Sequence, residues 1–369
     1  MPHELSSTRR AYIDWARGLA VLLMIEAHTL DAWTRWSSRT GRPFAYAAIL
    51  GGFAAPLFLW LAGIGVALSA GKLARRGERR AAVVEVIVRR GLEIFLLAFL
   101  FRLQAFIVSP GSYPVMLFRV DILNVMGPAI VASGIVWGLA AREASPARLA
   151  AVFSGVACAC AMVTPIVRTS TMVDGLPTWV QWYLRPAGDY TTFTLFPWAG
   201  FVLAGAGCGV VLEHARDGRS ERRALIAFSV AGAAVMALGF ATAARPSIYA
   251  QSSFWTSSPA YFAIRVGILM LGLALVAAMR YATEARGLHW SVMERFGRSS
   301  LFIYWIHVEL VYGYATWPLR YRLPLWGTAI AFGLFAALMY GAIAARDRTV
   351  EWWRARRARH FYSARQVPG

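Results

Sequence analysis

The chain has 369 residues, 58% of them hydrophobic and 15% charged, with a formal net charge of +19. These proportions exclude an ordinary soluble domain and place the chain among all-α polytopic membrane proteins. The excess charge does not indicate nucleic acid, because the arginines lie between apolar spans, where membrane orientation demands them.

Residues 1–10 read as a cytoplasmic N-terminus. The first predicted element, residues 11–30 (AYIDWARGLAVLLMIEAHTL), is long enough to cross a bilayer yet carries Asp14, Arg17, Glu26 and His28, with Asp31 just beyond. Charge near the centre of a membrane helix costs roughly 2.5–3.5 kcal/mol per group on insertion scales, so a span that keeps several uses them. From Arg17 to His28 is about 16 Å along the axis and three turns around it. Asp14, Arg17, Met24, His28 and Asp31 therefore share one stripe. Asp14 and Arg17, three positions apart, suit mutual pairing. Glu26 lies roughly 200° from His28 and faces another span. Histidine, with an ordinary pKa of about 6.5, suits proton transfer near neutral pH.

Nine further spans of about 20 apolar residues follow, at roughly 45–70, 91–109, 121–140, 149–167, 191–212, 224–243, 259–279, 299–316 and 324–345. Trp317-Pro318 cuts the ninth span short. The basic residues concentrate in alternate connections, most densely in 71–90 (GKLARRGERRAAVVEVIVRR). That bias predicts both termini on the cytoplasmic side and an even number of spans, about ten. With further spans behind it, the first is expected to stay as a membrane helix. Further polar groups inside or at the ends of spans are Arg102 and Gln104 in the third, Asp121 and Asn124 opening the fourth, and His307 and Glu309 in the ninth. Asp121 is expected to neutralise Arg102 or Arg119, and Asp121, Asn124, Arg102, His307 and Glu309 to line a substrate path.

The outer segments 168–190 and 244–258 are rich in Trp, Tyr, Ser, Thr and Pro, which serve as interfacial anchors and also stack on sugars. Residues 346–369 read as a basic, aromatic helix lying on the inner leaflet. Cys158, Cys160 and Cys208 show no zinc or disulfide spacing and read as packing residues. The six histidines include no i, i+4 pair, so no metal is expected. The glycines of GAGCGV at 205–210 follow no strand; they suit close helix packing, not a dinucleotide.

The stretch RRAYIDWARGLAVLLMIEAHTLDAW resembles the start of the heparan-α-glucosaminide N-acetyltransferase catalytic domain and its bacterial relatives. These belong to a broader group of transmembrane acyltransferases that includes the acyltransferase-3 O-acetylases and OpgC-like proteins. The spacing of Arg17 and His28 is similar to the first-helix signature of the O-acetylases. GGFAAPLFLWLAGIGVALS at 51–69, VDILNVMGPAI at 120–130 and FGRSSLFIYWIHVEL at 296–310 extend the resemblance.

The resemblance implies transfer of an acyl group, usually acetyl, from cytoplasmic acyl-CoA to a glycan or amino-sugar acceptor across an inner cell membrane. It implies His28 as base or transient acyl carrier, with Asp14 or Asp31 orienting an arginine or the imidazole. It implies Arg17 as donor-binding, together with Arg76 and Arg79, which fit an Arg-x-x-Arg motif of the O-acetylases. It also implies that residues 11–345 form the transmembrane acyltransferase-like domain. Two other readings stay open on the residues alone. One is a proton-coupled transporter with Asp14, Glu26, His28 and Glu309 as a relay. The other is a non-catalytic scaffold. The oligomeric state, a homo-oligomer included, is open.

Overall fold

A computed structural model describes residues 10–108, 113–141, 145–287 and 291–364. Thirteen α-helices occur among these residues: α1 (Ala11–Trp33), α2 (Gly41–Gly51), α3 (Ala54–Arg75), α4 (Arg80–Val108), α5 (Ile122–Ala140), α6 (Pro146–Thr169), α7 (Thr178–Leu184), α8 (Leu195–His214), α9 (Gly218–Ala243), α10 (Pro259–Ala285), α11 (Ser291–Arg298), α12 (Ser300–Tyr312) and α13 (Leu325–Ala364). No strand accompanies them among the described residues, only two isolated bridges. In hydrocarbon a helix satisfies its own backbone, and these apolar sequences leave no other solution.

Eight helical stretches among the described residues are long and apolar enough to cross a membrane, α2 and α3 counting as one. The predicted first span, α1, has the length but too many charges to qualify by composition. The ninth is reduced to the 13 residues of α12, which stops at Gly313, before Trp317 and Pro318. Most of the basic connection 71–90 is helical, in the ends of α3 and α4. The tail is not a separate surface helix: α13 runs 40 residues, without a break, from Leu325 to Ala364. Residues 1–9 and 365–369 of the predicted terminal segments lie outside the described residues.

Glycines bring the helices together. A Cβ on Gly63 or Gly205 would collide with the α8 or α3 backbone, and one on Gly209 would press on Ile64. The α4–α5 contact is a reciprocal pair, Gly91 and Gly127, and the α9–α10 contact another, Gly232 and Gly267. Lipid tails are as apolar as leucine, so helix association relies on close van der Waals approach of this kind. The glycines at 205–209 thus serve packing, as their sequence predicts. Cys160 and Cys208 are buried as expected, whereas Cys158 is exposed on α6.

In the most apolar window of α8, 67% of residues are buried, against 17% in α4. Helix α8 is therefore interior, and α4 presents an apolar surface that needs lipid. Helix α1 is also interior, packed by α3, α10, α11, α12 and α13. Polar clamps hold both of its ends. At the start, Arg10 donates to Glu221 at 2.5 Å and to the Leu212 carbonyl at 2.7 Å, and Tyr12 donates to Glu221 at 2.7 Å. At the finish, the backbone N–H groups of Tyr321 and Leu323 donate to the carbonyls of Ala32 and Trp33 at 3.0 and 2.9 Å.

Candidate active site

A cavity of about 770 Å³ runs beside α1, walled also by α3, α4, α5, α10 and α12. This volume falls within the range of ordinary ligand sites, about 300–1,000 Å³. Arg17 and His28 both line it, as do Arg90 and Phe106 of α4. The last two positions stand about 24 Å apart along their helix, so the cavity extends through much of the bundle. One end is marked by Arg17, Arg90 and Ser300. The other is marked by His28, Arg119, Tyr312 and Arg320.

His28 meets His307 of α12, with 2.8 Å between Nδ1 of the first and Nε2 of the second and the rings nearly coplanar. The orientation of that bond follows from the rest of the contacts. His307 Nδ1 lies 2.7 Å from the Ile303 carbonyl and 3.0 Å from the Tyr304 carbonyl. Carbonyls only accept, so Nδ1 of His307 carries the hydrogen and its Nε2 is the acceptor. His28 then donates from Nδ1, and in the neutral pair its Nε2 keeps a bare lone pair. A bare imidazole nitrogen on a cavity-lining side chain is what a general base requires. The Tyr312 ring packs edge-on to His28, and its hydroxyl donates to Asp31 at 2.9 Å.

Asp121 sits at the N-terminus of α5 and is paired with Arg102; Arg119 lies 3.8 Å from it. Both expected partners are therefore present. Thr192 donates to the same carboxylate at 3.1 Å. Asn124 is fully buried and lies off the cavity wall; it accepts from the Asp121 backbone at 3.0 Å and donates to Tyr183 at 3.3 Å. Its role is to cap α5 and hold Asp121 in place. Glu309 lines the cavity, as do Arg102 and Asp121.

The other sequence-selected groups fall elsewhere. Asp14 is buried between α1 and α11, accepts from Arg17 at 3.2 Å and lies 3.8 Å from Arg298. It is about 21 Å along α1 from His28, so it orients an arginine and not the imidazole. Asp31 is exposed and meets Arg39 and Tyr312. Arg76 and Arg79 occupy the exposed turn between α3 and α4, and neither lines the cavity. Gly77 makes that turn possible with a φ of +81°, which other residues rarely adopt.

Sequence reasoning named Arg119 as a partner for Asp121 and passed over Arg90, Trp198, Arg265, Tyr304, Tyr312 and Arg320 as site residues. Of these six, Arg265 carried a signal, as a charge inside an apolar span. Arg320 reads as a loop charge until the fold brings it to the cavity.

Fold and cavity together define a multi-pass helical membrane protein with a long internal site lined by six arginines and by His28. A family model described as an acyltransferase domain matches residues 10–345, and the chain belongs to this family, the acyltransferase-3 proteins. No curated protein matches it. The match supports the acyltransferase-3 side of the sequence resemblance and does not single out the heparan-α-glucosaminide N-acetyltransferases.

Proposed function

We propose that the protein moves an acyl group, acetyl first of all, from cytoplasmic acyl-CoA to a sugar on the far side of an inner cell membrane. The observation that carries this reading is the sharing of one cavity by Arg17 and His28. CoA is a polyanion, and Arg17 and Arg90 at one end of the cavity suit its phosphates. Arg76 and Arg79 gather it at the surface, and Arg17, steadied by Asp14, holds it at the cavity end. The thin pantetheine arm then brings the thioester toward His28.

The chemistry needs one proton to travel. The acceptor hydroxyl or amine gives its proton to Nε2 of His28 as its oxygen or nitrogen bonds to the acyl carbon. The C–S bond breaks, and the departing thiolate takes the proton from His28, so CoA leaves as the thiol. His307 accepts from His28 Nδ1 throughout and favours the tautomer that starts the cycle. The same transfer serves an O-acetylase and an amino-sugar N-acetylase. Crossing by α1 and α12, added to the eight apolar stretches, makes ten spans with both termini cytoplasmic.

Purified protein given labelled acetyl-CoA and a mixture of sugar acceptors tests the reading. Release of CoA that falls at least about a hundredfold in His28→Ala, with folding retained, supports it. Movement of a solute against a proton gradient without consumption of CoA would identify a transporter instead. A variant altered in stability alone would identify a scaffold.

A further inference from the structure

Six arginines line the cavity, and they divide into two groups. Arg17 is bonded to Asp14, Arg90 to Glu93, and Arg102 and Arg119 face Asp121. Arg265 and Arg320 pair with no carboxylate among the described residues. Aromatic rings hold them instead. The Arg265 guanidinium lies 4.1 Å from the Tyr261 ring centroid and 5.8 Å from that of Trp198, and it donates to the Tyr261 hydroxyl at 2.9 Å. The Arg320 guanidinium lies 4.7 Å from the Trp317 centroid and 5.1 Å from that of Tyr321.

Both unpaired arginines belong to the His28 end. A Cβ on Gly51 would meet the Glu26 carboxylate and Ala27, the neighbours of His28, and one on Gly52 would lie 3.8 Å from an Arg265 nitrogen; Glu26 and Arg265 form no ion pair within 4 Å. Arg320 immediately precedes Tyr321, whose backbone bonds to Ala32. Tyr321 has a φ of +56°, a left-handed conformation unusual for a tyrosine, and the guanidinium groups of Arg320 and Arg39 each lie 5.1 Å from its ring centroid. The segment thus keeps an unfavourable backbone while presenting Arg320 at the cavity mouth.

A guanidinium with its face covered by aromatic rings keeps its edge donors, and these match a carboxylate or phosphate. Arg265, part-buried at membrane depth with its Nε unbonded, is unfavourable without a counter-charge unless a ligand supplies one, and the exposed Arg320 can meet the same ligand from the mouth. We propose that Arg265 and Arg320 form an anion subsite for the acceptor, and that the acceptor is an acidic saccharide bearing a carboxylate or a phosphate. This inference rests on the acyl-transfer reading for the word acceptor, while the binding site itself does not. Trp198, which holds Arg265, is also on the cavity wall.

The test measures binding to the full chain in detergent or nanodiscs. The probes are glucuronate, glucose 6-phosphate, neutral glucose and CoA, each against wild type, Arg265→Gln, Arg320→Gln and the double variant. The expected result is tighter binding of one or both acidic probes than of glucose. Each single variant should weaken that binding about tenfold, with CoA affinity unchanged. The probe that responds separates a uronate from a phosphate acceptor. Arg320→Gln, at an exposed position, keeps the test valid if Arg265→Gln does not fold. Equal binding of all three sugars, or acidic-probe binding unchanged in Arg320→Gln, overturns the proposal. So does a loss confined to CoA, which would assign the arginines to the donor. Acidic-probe binding that depends on these arginines in a protein that never consumes acetyl-CoA would leave the subsite standing and sink the acyl-transfer reading alone.

Discussion

His28 takes its bare nitrogen from a partner 279 positions away in the chain. His307 in turn is oriented by two carbonyls of its own helix, one turn back. Replacing His307 by Leu removes the acceptor for His28 Nδ1–H and frees the ring to take the other tautomer. The expected outcome is a fall in acyl transfer with acetyl-CoA affinity retained, measured as separate kcat and KM changes; His307→Gln, which can still accept, should restore part of the rate. The Arg102–Asp121 pair poses a different question. Both groups are largely removed from solvent, so breaking the pair strands a charge. Arg102→Leu should destabilise the fold by about 3–5 kcal/mol, read from unfolding in detergent, whereas the matched change of both residues to apolar ones should destabilise it less. Arg17 and His28 were legible as one stripe because an eleven-residue step closes three helical turns. The arginine partners of Asp121 were legible because a carboxylate at membrane depth demands a counter-charge.

Helices α3 and α8 meet where glycines replace side chains, so their contact has almost no room to adapt. Gly205→Val should lower the unfolding temperature sharply through overpacking, while the same change at Gly333, which meets nothing within 4 Å, should leave it nearly unaltered. The entry to α9 depends on Asp217, whose carboxylate accepts from the backbone N–H groups of Arg219 and Ser220 at 2.9 Å each. These bonds favour the charged form and hold its pKa below the ordinary carboxylate value. The cap therefore contributes fully above the unfolded pKa and is lost as pH falls through the lowered folded one. Asp217→Asn should be less stable than wild type at neutral pH, and the difference should vanish in acid; thermal unfolding at a series of pH values checks this. Element positions were largely readable from apolar runs of about 20 residues. The early end of α12 and the continuation of α13 were less so, because hydropathy records where a helix suits lipid and not where its hydrogen bonding stops.

Across the whole molecule, the cavity follows α1, with Arg17, Met24, Ala27 and His28 on its wall facing residues of α3, α4, α5, α10 and α12. Ala62 lies on that wall. Ala62→Trp should obstruct the passage, with acyl transfer falling by at least about tenfold in an otherwise folded protein. Acyl transfer measured beside circular dichroism checks this, since a solid interior with no functional passage would show no such dependence.

The amino-acid sequence by itself determined the environment and the central helix. Its apolar runs require a bilayer, its arginines bias the connections, and the charges of the first span can be tolerated only inside protein. The spacing of Arg17 and His28 is a local property of one helix, so it needed nothing further. Tertiary structure alone decided which distant groups meet that stripe. His307, Arg265 and Arg320 come from elements more than 200 positions further along, and helical periodicity carries no information about which faces will touch. Glycine contacts and backbone clamps settled those faces, joining a set of isolated polar residues into one continuous site.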